Sequence, residues 1–146
     1  MKIKRLTHND KYWKATIDFA ETCSFVAGKH LANMMTNSKF SDWESVFAAI
    51  SDEGVLGFCT LLKEDYFPEN RYSPWISTLF VDEKARGNRI SERLVEAAAQ
   101  YAKDCSFEKV YIPSDIKGLY EKYGFAPIDQ LRNYEGHFDT VFMKIL

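Results

Sequence analysis

The sequence is poor in cysteine. Cys23, Cys59 and Cys105 are odd in number and widely spaced. No CxxC pair and no Cys/His combination with zinc-ligand spacing occurs, which argues against a disulfide framework or a structural metal. Reduced, mostly buried thiols are the reading that remains. His8, His30 and His137 are isolated, so each reads as a surface or turn histidine. No run approaches the roughly 18 apolar residues of a membrane span. Met1-Lys2-Ile3-Lys4-Arg5-Leu6 lacks the apolar stretch of a secretory leader. Neither charge dominates: 19 Lys and Arg face 21 Asp and Glu, a net charge of −2. Bulk electrostatics therefore speak against nucleic-acid binding, and no nucleic-acid motif restores it. There is no internal repeat, low-complexity tract or interdomain linker. The expectation is one soluble, cytoplasmic domain over residues 1–146, with no metal and no nucleic-acid or membrane partner.

Hydrophobic residues make up 46% of the chain and charged residues 27%, enough for a core without staples. Lys2–Leu6 alternates as a short strand. Thr7-His8-Asn9-Asp10 is a turn with good helix caps. A helix is expected from about Lys11 to Cys23, and a short second one around Leu31, Met34 and Met35. Ser45–Ser51 and Val55–Leu62 read as strands joined by a hairpin at Asp52-Glu53-Gly54. Lys63–Ser73 is a polar and aromatic loop. After the central stretch, Lys109–Ile112 reads as a strand stopped by Pro113. A helix is expected over Ile116–Tyr123, ended by Gly124 in the usual C-cap manner. Two last strands are expected at Phe125–Ile128 and Phe138–Ile145.

The central stretch runs from Thr78 to Ser91. Trp75, Ile76, Leu79, Phe80 and Val81 form an almost continuous apolar run, as in a strand buried on both faces. From Ile90 the period becomes helical: Ile90, Leu94, Val95, Ala98, Tyr101 and Ala102, on a helix from about Asn88 to Asp104. Between strand and helix stands Arg86-Gly87-Asn88-Arg89. A cationic turn at a helix N-terminus suits an anion, because the first helical N–H groups have no intrahelical acceptor and the dipole favours negative charge.

This turn resembles the acyl-CoA signature of the GNAT family of N-acetyltransferases, Arg/Gln-x-x-Gly-x-Gly/Ala. Here it reads Arg86-Gly87-Asn88-Arg89-Ile90-Ser91, with Arg89 for the middle glycine and Ser91 for the last small residue. A second block, Gly118-Leu119-Tyr120-Glu121-Lys122-Tyr123-Gly124-Phe125, is similar to the family's Tyr-Glu-Lys-x-Gly-Phe. The resemblance implies an α/β (α+β) fold. Its central sheet would be mixed and mostly antiparallel, of about seven strands, flanked by about four helices. It implies acetyl-CoA as co-substrate, no metal, and acetyl transfer to a primary amine of a small-molecule or peptide acceptor. It also implies a homodimer.

On that resemblance the backbone of Arg86, Gly87, Asn88, Arg89, Ile90 and Ser91 cradles the phosphates. The pantetheine arm pairs with the free edge at Leu79, Phe80 and Val81, and Tyr120 protonates the departing thiolate. Arg89 is expected to be tolerated in ordinary helical backbone, its side chain turned away or adding a phosphate contact; a position that needs φ above zero or very close phosphate approach would instead make it a block. Ser114 stands near a cofactor-contacting Asn of relatives, and the plain alternative is a helix N-cap. Tyr123 reads as packing. No carboxylate precedes Asp82 on the central strand; Glu64 and Asp65 could reach the cleft mouth. Tyr66, Phe67, Tyr72 and Trp75 suggest an aromatic acceptor pocket, a dimer contact or a core edge. A non-catalytic CoA-binding or sensing module and an α/β protein without CoA are the alternatives.

Overall fold

A computed structural model describes residues 1–146. The chain runs β1 (Lys2–Leu6), α1 (Tyr12–Thr22), α2 (Val26–Thr36), β2 (Ser45–Ser51), β3 (Gly54–Leu62) and β4 (Trp75–Val81). It continues with α3 (Ile90–Asp104), β5 (Lys109–Ser114), β6 (Ala126–Arg132) and β7 (Phe138–Ile145). Single 3-10 turns lie at Glu83–Ala85 and Tyr120–Tyr123. The strands form one sheet in the order β1-β2-β3-β4-β5-β7-β6. Every neighbouring pair is antiparallel except β4 and β5.

Over β2, β3 and β4 both faces of the sheet are covered, which explains their unbroken apolar runs. In β2, Phe47 and Ala49 pack under α3, while Val46, Ala48 and Ile50 pack under α1 and α2. The α3 face buries Ile90, Leu94, Val95, Ala98, Ala99 and Ala102, nearly the set its periodicity marks. Leu94 is fully buried in this core. Leu94→Ala is expected to cost roughly 2–5 kcal/mol through lost transfer energy and a residual cavity. A urea titration with unchanged m-value and a lowered midpoint measures it.

Strand β4 does not keep its alternation. Phe58 pairs with Phe80 and Thr60 with Ser77, so Thr78 and Leu79 together oppose Cys59. This is a β-bulge, and Thr78 carries it at φ +53°. The extra residue reverses the facing of the strand beyond it. Ile76 and Val81 therefore reach the α3 core, whereas Phe80 reaches the opposite one.

Three expectations need correction. Ile116–Tyr123 is not a helix, so there are three α-helices rather than four. The Ser114 hydroxyl takes the Ile116 N–H in a local turn at 2.9 Å, and Gly118 sits at φ +87°, which leaves one 3-10 turn. Pro113 does not stop β5; it pairs with Val141 inside the strand. The Tyr111 N–H points at Pro74 O on the β4 side at 3.1 Å, and position 113 faces the same way. There β4 has already diverged, so proline's missing N–H costs no ladder bond. Strand β6 also runs on to Arg132, because Asp129 to Arg132 keep pairing with β7.

Candidate active site

The site begins where β4 and β5 part. Their register contains one pair, Trp75 with Tyr111, after which the strands separate. The edge of β4 from Ile76 to Val81 that faces β5 has no strand partner there. Leu79, Phe80 and Val81 lie on this stretch, with Phe80 and Val81 held by β3 on the other side. At its end the Arg86 Nε donates to Val81 O at 3.1 Å, and the guanidinium lies 5.7 Å from the Phe80 ring centre. Arg86 is thus folded back onto the strand.

The turn leading into α3 is a set of unused donors. The backbone N–H groups of Gly87, Asn88, Arg89, Ile90 and Ser91 make no hydrogen bond within the protein; the first bond back into the turn is Arg93 N–H to Arg89 O at 3.1 Å. Gly87 has φ +86° and Arg89 φ +60°, and such alternation makes successive N–H groups converge on a concavity. The ordinary helical backbone expected at Arg89 is therefore wrong: the position is left-handed, at a cost of about 1–2 kcal/mol for a non-glycine residue. The Arg89 side chain leaves the concavity open. It turns along α3 to Glu92, with Nε–Oε2 at 2.8 Å, and is 80% exposed. The Asn88 side chain closes the turn by donating to Ala85 O at 3.0 Å.

Tyr120 is 5% exposed, against Phe125 and Phe142. Burial, then the nearby Tyr123, pushes its phenol up to about 12, and the Ser114 hydroxyl works against that rise. Ser114 is the last residue of β5 and not a helix cap. Tyr123 is more than packing, since its hydroxyl meets that of Ser91 at 2.9 Å and ties the start of α3 to the 3-10 turn. Gly124, at φ +90°, ends that turn as expected.

A cleft of about 1190 Å³ opens from this wedge. Its walls are α2, the loop after β3, the bulge of β4, the end of β5 with Tyr120, and the β6–β7 turn. Ser114 and Tyr120 line it, together with Thr78 and Leu79. The donor turn of Gly87–Ser91 does not line this cleft; it lies beyond Val81, at the other end of the same strand edge. The aromatic loop divides: Phe67 and Trp75 are buried together, while Tyr66 stays exposed and packs on Tyr134 across the cleft. Of the two loop acids, Glu64 is exposed. Asp65 turns inward, accepts a hydrogen bond from the Ser77 hydroxyl, and is held above the usual carboxylate range by burial. Sequence reasoning could name Asp65 but not its desolvation, and it missed the bulge.

A mixed sheet split after one parallel pair, with a donor-lined turn opening a helix beside the split, is an architecture suited to an anionic ligand that carries an extended arm. Residues 42–127, more than half of the chain, match the model of the acetyltransferase (GNAT) domain. The chain belongs to the GNAT family, and it is an acetyl-CoA-dependent N-acetyltransferase. No curated protein matches it in sequence. Among solved structures it is similar to the aminoglycoside 6'-N-acetyltransferase from Enterococcus faecium, with TM-score 0.75, 17% identity, and 99% of this chain and 97% of that one covered. It is also similar to a GNAT acetyltransferase from Elizabethkingia anophelis with acetyl-CoA bound, with TM-score 0.68, 18% identity and coverage of 99% and 97%. A third is the ribosomal-protein-alanine N-acetyltransferase from Brucella melitensis, with TM-score 0.67, 18% identity and full coverage of both chains at 100%. At these identities the likeness concerns the fold.

Proposed function

We propose that this chain transfers the acetyl group of acetyl-CoA directly to a primary amine bound in the cleft. The observation that carries the reading is the free β4 edge, which has a donor-rich turn at one end and the buried phenol of Tyr120 beside the cleft at the other. Gly87 to Ser91 receive the pyrophosphate through backbone N–H groups. The β4 edge at Leu79, Phe80 and Val81 pairs with the amides of the pantetheine arm as an added strand would. That arm delivers an acyl thioester to the wedge. Tyr120 donates its proton to the departing sulfur, and Ser114 stands beside it at the same end.

The acceptor is read as an amine that carries positive charge. Glu44, Glu64, Asp65, Asp115, Glu135 and Asp139 line the cleft, against Lys63. The near-neutral bulk charge hides this local excess of acid. The aminoglycoside acetyltransferases among the structural neighbours fit the same reading.

Thermal unfolding with CoA and with acetyl-CoA tests the site. A ligand at about 100 times its Kd is expected to add roughly 2.7 kcal/mol of stability. An amine panel followed by free-thiol release then tests transfer. A raised midpoint without thiol release on any amine would favour a CoA-binding module. An unmoved midpoint at millimolar ligand would end the CoA reading.

A further inference from the structure

Within the proposed transfer, an amine must lose a proton as it attacks the thioester, and Tyr120 cannot take it while serving as the acid. We infer that the Asp65 carboxylate is the general base that receives this proton, with Ser77 as its positioning residue.

The carboxylate is unusually well fixed for a loop side chain. The Tyr66 N–H donates to Asp65 Oδ1 at 2.6 Å, and the Ser77 hydroxyl donates to Oδ2. Asn70 clips the backbone from both sides: Asp65 N–H reaches Asn70 Oδ1 at 2.9 Å, and Asn70 Nδ2 reaches Asp65 O at 3.2 Å. Phe67, 1% exposed, anchors the loop in the Trp75 cluster. Two accepted hydrogen bonds leave further lone pairs on the carboxylate for an incoming N–H. Ser77 immediately precedes the bulge at Thr78, so Asp65 stands on the β4 wall of the cleft. Tyr120 stands on the β5 wall. Acid and base thus approach a thioester in the wedge from opposite sides.

The other charged groups of the cleft are less suited. Glu44 accepts from Ser41 and from the Lys63 N–H at 2.9 Å, and Asp139 accepts from Asn133 at 3.1 Å. His30 on α2, Asp115 after β5, and Lys63, Glu64 and Glu135 on the loops are exposed to water. Of these groups, Asp139 on β7 bears on Asp65. It adds to the effect of burial, while the bonds from Ser77 and Tyr66 oppose it. The net rise brings the carboxyl nearer the pH at which it must accept a proton.

The step balances without another reagent. The attacking amine is neutral, an ammonium form having first given one proton to solvent; its nitrogen bonds to the acyl carbon and the carbon–sulfur bond breaks. One amine proton passes to Asp65 and the Tyr120 proton passes to sulfur. Solvent then removes the proton from Asp65 and restores that of Tyr120.

Asp65→Asn, Asp65→Glu and Ser77→Ala, assayed with the best amine of the panel, test the assignment. Asp65→Asn is expected to lower kcat about 10²–10⁴-fold with the acetyl-CoA-induced midpoint shift intact. Asp65→Glu should recover part of the rate. Ser77→Ala should move the acidic limb of the kcat/KM profile to higher pH, because a bond that favours the ionised form is lost. Carbon-13 NMR titration of Asp65 should show a pKa above the ordinary carboxylate range. The fold itself supplies a control. A raised carboxyl pKa means stability is fullest with Asp65 protonated and falls as pH climbs through that pKa, and Asp65→Asn removes this fall. A rate within threefold of wild type for Asp65→Asn, or an ordinary Asp65 pKa, overturns the base while leaving transfer intact. Wild-type protein that neither binds CoA nor releases thiol overturns both.

Discussion

Tyr120→Phe is expected to lower kcat by about 10²–10⁴-fold while leaving acetyl-CoA affinity within a factor of two or three. The size of the loss reflects the leaving group. A departing thiolate without a proton donor must be expelled as an anion, which makes it the poorer leaving group. The variant should fold normally. The ring packs against Phe125 and Phe142, and those contacts survive loss of one oxygen. The pH profile adds a second check. With its phenol pushed up to about 12, Tyr120 stays protonated across the whole useful range. Wild-type kcat should therefore show no alkaline limb from this group below about pH 11, roughly one unit under that value. A conversion rate unchanged by Tyr120→Phe would remove the phenol from the acid role.

Gly87→Asp should weaken CoA by about 10²-fold or more. Its effect is separable from simple strain. Asn and Asp both tolerate the left-handed region better than other side chains, so Gly87→Asn reproduces the backbone cost at φ +86° without charge. No atom beyond its chain neighbours lies within 4 Å of a Cβ added there, so both side chains begin in open space. The difference between the two variants then reports a carboxylate set against bound phosphates. Calorimetric affinities measured at two salt concentrations would establish it, because a charge effect shrinks on screening. Equal affinities for the Asn and Asp variants would mean that no anion sits in the concavity of Gly87–Ser91.

Much of this site could be read from the chain because its signals are local. The change of period at Ile90 gives the strand-turn-helix, and Gly124 ends a turn just after Tyr120. The illegible parts depend on distant partners. Thr78 is β-branched and an ordinary strand residue by propensity, yet it takes a left-handed conformation. Only the register of β3 against both halves of β4 demands that. Ile116–Tyr123 has helical spacing, but Ser114 and Gly118 divert it into turns. Arg89 could not be placed from its identity, since the concavity needs a backbone state that arginine adopts at modest cost once its side chain reaches Glu92. Asp65 shows the same limit. Its neighbours in sequence are exposed, and its inward position depends on the bonds to Ser77 and Asn70 and on the anchor at Phe67.

The single parallel pair between β4 and β5 has a thermal consequence. Strands β1–β4 are latched to one another by long ladders, and so are β5–β7. The two sets meet through the Trp75–Tyr111 pair, through isolated bonds such as Tyr111 N–H to Pro74 O, Tyr72 hydroxyl to Asp129 and Ser91 to Tyr123, and otherwise through apolar side chains beneath α3 and around Trp75. Ladders of directional bonds therefore hold each half, whereas the joint between them has only scattered ones and rests largely on burial. The driving force for burial is largely entropic near room temperature and weakens on cooling. The angle of the wedge is accordingly the part of this molecule most sensitive to cold. The joint should stiffen toward moderate warmth, while the strands on either side of it barely change.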